Sequence, residues 1–224
     1  TEIIKFNELD NIGITGLTDG FFGFYLSNLY CQKDRNIIVV VNSLYEANKL
    51  YSIVSSFLDD VFLFPMDDFL TSEAVAMSPD LLINRMETLK NISISNKKCI
   101  VITNLMGYLR YLPTKKEYLS SIVELSVGSL ISPADLFKKM CSIGYERETI
   151  VTNTGEVGLR GFVVDVFPIG EDNPVRIEFF GDEIESIRYF DSNSQKSISD
   201  VNKITIYPYF EFLTNVEVEN EKFG

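Results

Sequence analysis

The chain has 224 residues, 46% of them hydrophobic, which is enough to bury a substantial core in one or two domains. Its formal net charge of −12 argues against autonomous DNA binding, because an acidic surface repels the phosphate backbone. It has no histidine and only three widely spaced cysteines, so the sequence predicts no metal site, no disulfide framework and no imidazole catalysis.

A glycine-rich stretch at residues 12–23 comes first and precedes an apolar, helix-like segment at residues 24–30. It has the frame of a phosphate-binding loop, G-x-x-x-x-G-K-[ST], without the groups that such a loop needs. If the loop starts at the first glycine of G-L-T-D-G-F-F-G, a phenylalanine replaces the lysine, a glycine replaces the magnesium-binding hydroxyl, and an aspartate opposes a triphosphate. A plain strand-to-helix turn explains the pattern equally well, and both interpretations exclude ATP hydrolysis here. The residues of this degenerate, non-functional loop are Gly16, Thr18, Asp19, Gly20, Phe22 and Gly23.

The rest of the first half alternates apolar runs with amphipathic stretches. The predicted strands are residues 37–41, 61–64 and 99–103, each apolar enough to be buried on both faces. The predicted helices begin at Ser43, Ser78 and Asn104, and run to about residue 58, past residue 89 and to residue 112. Strand followed by helix, repeated, predicts a parallel α/β domain over residues 1–118.

Two acids, Asp67 and Asp68, follow the second predicted strand, where a nucleotide-binding fold often holds magnesium. Pro65 breaks that strand before the acids, and no lysine accompanies them. We therefore interpret them as a solvated turn, and the sequence predicts neither metal nor cofactor.

Residues 119–207 change to short strands separated by turn residues. A helix begins at Ser132-Pro133, and Gly144 suits the position just past its end. The predicted strands are residues 148–151, 159–167, 175–180, 184–190 and 204–207. This pattern predicts a β-rich α+β domain, with the boundary near residues 113–121.

Side chains alternate along a strand, so residues 175–180 should present two different faces. The core-facing residues are expected to be Val175, Ile177 and Phe179. The solvated face is expected to carry Arg176, Glu178 and Phe180. A phenylalanine exposed beside an arginine fits a protein interface, although Phe180 could equally tuck under a loop or turn inward at a bulge near Gly181.

Several motifs along the chain resemble the UvrB family of bacterial nucleotide excision repair. They are Gly16-Leu17-Thr18, Phe64-Pro65, Glu73-Ala74-Val75-Ala76, Gly144-Tyr145-Glu146-Arg147, Arg160-Gly161, Asp165-Val166-Phe167-Pro168 and Arg176-Ile177-Glu178-Phe179-Phe180. The second half is similar to the UvrA-binding second domain of that family. The missing loop lysine and the missing tyrosine-rich hairpin separate the chain from UvrB itself and resemble the N-terminal, UvrB-like region of the transcription-repair coupling factors (Mfd).

The resemblance implies a degenerate P-loop NTPase-like domain followed by a domain like UvrB domain 2. It implies a non-catalytic module, without cofactor, that recruits UvrA to a stalled RNA polymerase. The parts that bind polymerase and move on DNA would lie elsewhere in a longer protein. We therefore expect this chain to be a fragment, with residues 208–224 starting a return segment to the first domain.

The residues that the resemblance assigns to UvrA binding are Arg160, Arg176 and Phe180, with Glu156 and Glu178 as weaker candidates. Alternation alone leaves the face of Arg160 open, because Gly161 could permit a bulge beside it. The alternative functions are an ATP-dependent helicase lobe and a UvrB-type fragment that handles damaged DNA. No signal pattern or membrane-length apolar run is present, so we expect a cytoplasmic location.

Overall fold

A computed structural model of the chain describes residues 13–68 and 78–210 and shows a mixed α/β architecture with three sheets. The motif at residues 73–76 lies outside the described residues. The same holds for residues 211–224 of the predicted return segment. In the described ranges, no helix is both long and apolar enough to cross a membrane.

The first sheet is parallel and contains the three strands that the first half predicts. Its order is β1-β3-β2, with β1 at Ile37–Val41, β2 at Val61–Phe64 and β3 at Ile100–Asn104. Helices α1 (Asp19–Gln32) and α2 (Leu44–Val54) pack against one face of this sheet, and α3 (Pro79–Ile94) packs against β2. Residues 13–18, ahead of α1, form no strand, and the nucleotide-binding class of this domain stays a prediction.

Two short helices connect this sheet to the second half. The helix predicted to reach residue 112 is wrong in length, because α4 is the single turn Leu105–Tyr108, capped by Asn104. Helix α5, Lys115–Ser120, lies inside the segment that we predicted as a boundary. Thr114 and Glu117 form a capping box at its start, which is the sequence signal that could have identified it.

The second half folds into a six-stranded sheet and a two-stranded sheet, with helix α6 at Pro133–Ser142. The six-stranded sheet has the order β10-β9-β8-β7-β6-β5 and is antiparallel except for the pairing of β5 with β6. Its strands are β5 (Glu146–Arg147), β6 (Glu156–Arg160), β7 (Val163–Val166), β8 (Val175–Phe180), β9 (Glu183–Phe190) and β10 (Ser197–Val201). The two-stranded sheet pairs β4 (Val123–Ser126) with β11 (Lys203–Ile206).

Two strand predictions are wrong. The strand expected at residues 148–151 stands instead at Glu146–Arg147, and residues 148–151 are irregular. The single strand expected at residues 159–167 is a hairpin, because Gly161 adopts a positive φ of 62° that only glycine reaches easily. The apolar run thus reverses direction, and β7 returns alongside β6.

One hydrophobic cluster extends across both halves of the chain. Phe64, Met86 and Leu89 from the first half join the buried residues of α6 and of the six-stranded sheet. Tyr118 of α5 belongs to the same cluster, so one buried side chain anchors this otherwise exposed linking helix to the core. The domain boundary near residue 118 remains a prediction.

Candidate functional site

Four of the five residues predicted to bind UvrA lie together on one face of the six-stranded sheet, which we call the outer face. Val175, Ile177 and Phe179 of β8 are buried, as predicted, so the alternate residues of that strand point away from the core. Residues paired across neighbouring strands share a face, which extends the outer face from β8 to β6, β7 and β9. The outer face carries Arg160, Asp165, Arg176, Glu178, Phe180, Glu183 and Arg188.

Asp165 is the buried centre of this face, with only 2% of its side chain exposed. Arg176 lies directly across from it on β8 and donates from Nε to Oδ1 at 2.7 Å and from a terminal nitrogen to Oδ2 at 2.9 Å. Arg160 donates to Oδ2 from the other side, at 2.5 Å. One carboxylate therefore orients two guanidinium groups. The positive charges of the two arginines offset the cost of burying the negative charge of Asp165.

The two arginines differ in how much of each reaches solvent. The side chain of Arg160 is 47% exposed, whereas that of Arg176 is only 18% exposed. The Arg176 guanidinium also lies 4.5 Å from the centroid of the Phe190 ring and donates to Gln195 at 3.2 Å. Arg176 therefore lies on the predicted face but is only partly exposed, because three partners hold it against the sheet.

Phe180 is the exposed aromatic of the outer face. It is 77% exposed, so it neither tucks under a loop nor turns inward. The pairing of β8 with β9 shifts register between Glu178 and Phe179, but the alternation of β8 continues through the shift. Of the alternatives that the strand pattern left open, the exposed position of Phe180 is the one that the structure shows.

The two weaker candidates already have partners within the chain. Glu178 pairs with Arg188 and accepts a hydrogen bond from the Ser186 hydroxyl at 3.0 Å. Glu156 accepts from the backbone N–H groups of Thr152 and Asn153 at 2.7 and 2.9 Å. Burial alone would raise the pKa of Glu156, but these hydrogen bonds lower it below its ordinary value.

The degenerate loop of the first half forms the start of α1. Thr18 caps the helix by accepting from the Phe21 N–H at 3.4 Å. Asp19 forms an ion pair with Lys49 of α2 at 2.5 Å. The two residues are 30 positions apart in the chain, so no local sequence pattern predicted that Lys49 would pair with Asp19. Phe22 packs partly buried against the core between α1, α2 and the parallel sheet.

The acid that follows β2 has a structural role. Asp68 accepts from the Leu44 N–H at 2.8 and 3.0 Å, at the start of α2, and from the Asn104 amide at 2.8 Å. The carboxylate thus caps a helix and joins it to the end of β3, which a freely solvated turn would not do. Within residues 13–68 and 78–210, no group of three metal-ligating side chains comes together.

We expect no ATP to bind at residues 16–23, and a Phe22→Lys change to leave hydrolysis absent. Lys49 already pairs with Asp19, and a serine or threonine at Gly23 would overlap the Ile53 side chain, so the magnesium hydroxyl cannot simply be restored. Calorimetric titration with ATP and Mg²⁺ should give no binding heat for either protein. Steady phosphate release by the unmodified chain would contradict this expectation.

Comparison with known proteins places the outer face inside a recognised domain. Residues 123–212 match the family described as the UvrB interaction domain. Over most of its length the chain is also similar to proteins named transcription-repair-coupling factor. It is 32% identical to that of Bacillus subtilis over 206 residues, which is 91% of this chain and 17% of the relative.

Two staphylococcal relatives show the same degree of similarity. The chain is 31% identical to the transcription-repair-coupling factor of Staphylococcus haemolyticus over 223 residues, covering 96% of this chain and 19% of the relative. It is 33% identical to that of Staphylococcus aureus strain USA300 over 211 residues, covering 93% and 18%. The chain thus spans less than a fifth of the length of the curated relatives that it matches.

Proposed function

We propose that this chain, whose residues 123–212 match the UvrB interaction domain family, is a non-catalytic module that recruits UvrA. The observation that carries the proposal is the outer face itself. It brings an oriented, half-exposed arginine and an exposed phenylalanine onto one side of a sheet, inside the matched region. Arginine and aromatic side chains are the residues that most often dominate binding energy in protein interfaces.

We propose different parts for the three main candidates. Arg160 and Phe180 are exposed enough to touch UvrA directly. Arg176 supports the same surface through Asp165, which it shares with Arg160. Glu178 and Glu156 remain weaker candidates at the rim, because both carboxylates already accept hydrogen bonds within the chain.

The arrangement of Arg160 also predicts which kind of UvrA side chain would contact it. The half-exposed guanidinium of Arg160 keeps donors free on its solvent side, and a carboxylate on the partner matches them in shape and charge. Such a contact orients the partner as well as attracting it. We therefore propose that acidic side chains of UvrA meet Arg160, next to an apolar contact with Phe180.

The wider role is proposed by analogy with the relatives. Their name joins transcription to repair, so the full protein would link a stalled RNA polymerase to nucleotide excision repair. Contacts with polymerase and DNA would be made by parts of the protein outside this chain, which spans less than a fifth of its relatives. We also propose a cytoplasmic location, because a protein that acts on stalled RNA polymerase must share its compartment.

Calorimetric titration of this chain with purified UvrA tests the proposal. We expect saturable binding heat when purified UvrA is titrated into this chain. Addition of a damaged DNA duplex alone should give no heat, because the chain carries a net charge of −12. Absence of UvrA binding, with damaged DNA bound instead, would overturn the proposal in favour of a damage-handling fragment.

A further inference from the structure

Gln195 lies in the turn between β9 and β10 and has a backbone conformation that few side chains adopt. Within residues 13–68 and 78–210, it is the one residue other than glycine with a positive φ, at 60°. The left-handed region is unfavourable for a residue with a Cβ atom, whereas glycine reaches it without strain. A glutamine at this position therefore indicates that its side chain makes contacts that offset the strain.

The side chain of Gln195 uses both ends of its amide. Its Nε2 donates to the carbonyl oxygens of Ser192 at 2.8 Å and Val151 at 3.3 Å. Its Oε1 accepts from a terminal nitrogen of Arg176 at 3.2 Å. Two carbonyl acceptors on one side and a guanidinium donor on the other determine which end of the amide faces Arg176.

Other contacts hold the turn without using the Gln195 side chain. The Gln195 N–H donates to the Asp191 carbonyl at 2.8 Å, and the Ser194 N–H donates to the Asp191 carboxylate at 2.7 Å. Phe190, the last residue of β9, is fully buried in a small cluster with Val151. The turn should therefore keep its shape when the Gln195 side chain is removed.

The contact between Gln195 and Arg176 connects the turn to the half-exposed Arg160. The Arg176 nitrogen that donates to Gln195 also donates to Oδ2 of Asp165 at 2.9 Å. The same Asp165 oxygen accepts from Arg160 at 2.5 Å. A long arginine side chain has many rotamers, so a second acceptor for Arg176 restricts its movement and that of the carboxylate that it holds. Gln195 thus begins a series of hydrogen bonds that ends at the solvent side of the outer face.

We propose that Gln195 is a positioning residue for UvrA binding, which holds Arg176 so that Asp165 presents Arg160 in one orientation. This inference rests on the proposed function and adds to it a residue that acts through Arg176 and not by touching the partner. An arginine that is already held in its binding orientation loses less side-chain entropy when a partner binds, so the affinity rises without a new contact. Removing the Gln195 side chain should therefore weaken UvrA binding without weakening the fold.

The test replaces Gln195 with glycine and measures both UvrA affinity, by calorimetric titration, and thermal unfolding. We expect Gln195→Gly to bind UvrA about three- to tenfold more weakly. Its unfolding midpoint should stay within about 3 °C of the unmodified chain, because glycine relieves the strain at φ 60° and so offsets the lost hydrogen bonds. Asn193→Gly is the matched control, because it removes an exposed amide side chain from the same turn. That control should bind UvrA within about twofold of the unmodified chain.

A double-mutant cycle separates positioning through Arg176 from a general effect on the fold. In an Arg176→Ala chain, adding Gln195→Gly should change UvrA affinity by less than about twofold, because the group that Gln195 positions is already absent. In a Phe180→Ala chain the two losses should multiply, because Phe180 takes no part in this series of hydrogen bonds. If the alanine variant of Arg176 does not fold, Arg176→Lys serves in the same cycle, because lysine lacks the forked guanidinium that reaches both Asp165 and Gln195.

The outcomes that count against the inference differ from those that count against the proposed function. An equal loss from Gln195→Gly with and without Arg176 would overturn the positioning role and leave the proposed function standing. A fall in the unfolding midpoint that parallels the loss of affinity would do the same, because it would assign Gln195 to the fold alone. If the unmodified chain does not bind UvrA, the proposed function falls and this inference falls with it.

Discussion

Replacing Asp165 with alanine is expected to lower the free energy of unfolding by about 2–3 kcal/mol. Asp165 is almost completely buried, and it holds Arg160 and Arg176 at hydrogen-bonding distance on either side. Without this carboxylate, the positive charges of Arg160 and Arg176 lie close together with no negative charge between them. The Arg176 charge is also largely buried. Chemical denaturation followed by circular dichroism would measure the change.

The size of this effect follows from how far each charge is buried. Removing one partner of a fully buried ion pair costs roughly 3–5 kcal/mol. Here Arg160 is half exposed and is rehydrated readily, whereas Arg176 retains only its contacts with Gln195 and the Phe190 ring. We therefore place the expected loss below that range.

A second ion pair on the chain supplies a matched control for the Asp165 variant. Glu124 pairs with Lys203 at 2.9 Å, and both side chains are more than half exposed. Glu124→Ala should change the free energy of unfolding by no more than about 0.5 kcal/mol, because exposed pairs contribute little. Equal losses in the two variants would contradict the structural role of Asp165.

Combining Arg160→Ala with Phe180→Ala is expected to weaken UvrA binding by about 2–5 kcal/mol while leaving stability within about 0.5 kcal/mol. Each change removes a side chain that the structure leaves available to a partner, and each alone should cost about 1–3 kcal/mol. Asp165 keeps its bidentate partner Arg176 when Arg160 is removed, which is why the fold should tolerate the change. Surface plasmon resonance with immobilised UvrA would measure the loss.

The control for this pair is Lys97→Ala with Tyr111→Ala, which also removes one positive charge and one exposed aromatic ring. It separates a specific contact from a general change in charge or surface apolarity. We expect the control to bind UvrA as the unmodified chain does. If both double variants bind UvrA equally well, the outer face is not the docking surface.

The sequence predicted the parts of this structure that depend on local periodicity. The three strands of the parallel sheet stand where apolar runs predicted them, and the alternation along β8 located its core residues, while it left the exposure of Phe180 open. These features follow from side-chain period and burial alone. A one-residue shift in β8 would have moved Phe180 into the core.

The features that the sequence did not reveal depend on residues distant in the chain or hidden in an apolar run. Residues 159–167 look like one continuous strand, and only the turn at Gly161 brings Arg160 beside Asp165. The pairing of Asp19 with Lys49 joins two helices, and no local pattern predicts it. Leu130 extends the outer face through an isolated bridge to β9, too short to produce a strand pattern.

Hydrogen exchange of the chain with and without purified UvrA tests the central claim most directly, because it reports both binding and its location. UvrA should slow exchange in peptides that contain Arg160 to Val163 and Phe180 to Glu183. Peptides covering α1, β1 and α2 should exchange at the same rate in both samples. Protection confined to that first half, or no protection anywhere at saturating UvrA, would contradict the assignment of the outer face as the UvrA-binding surface.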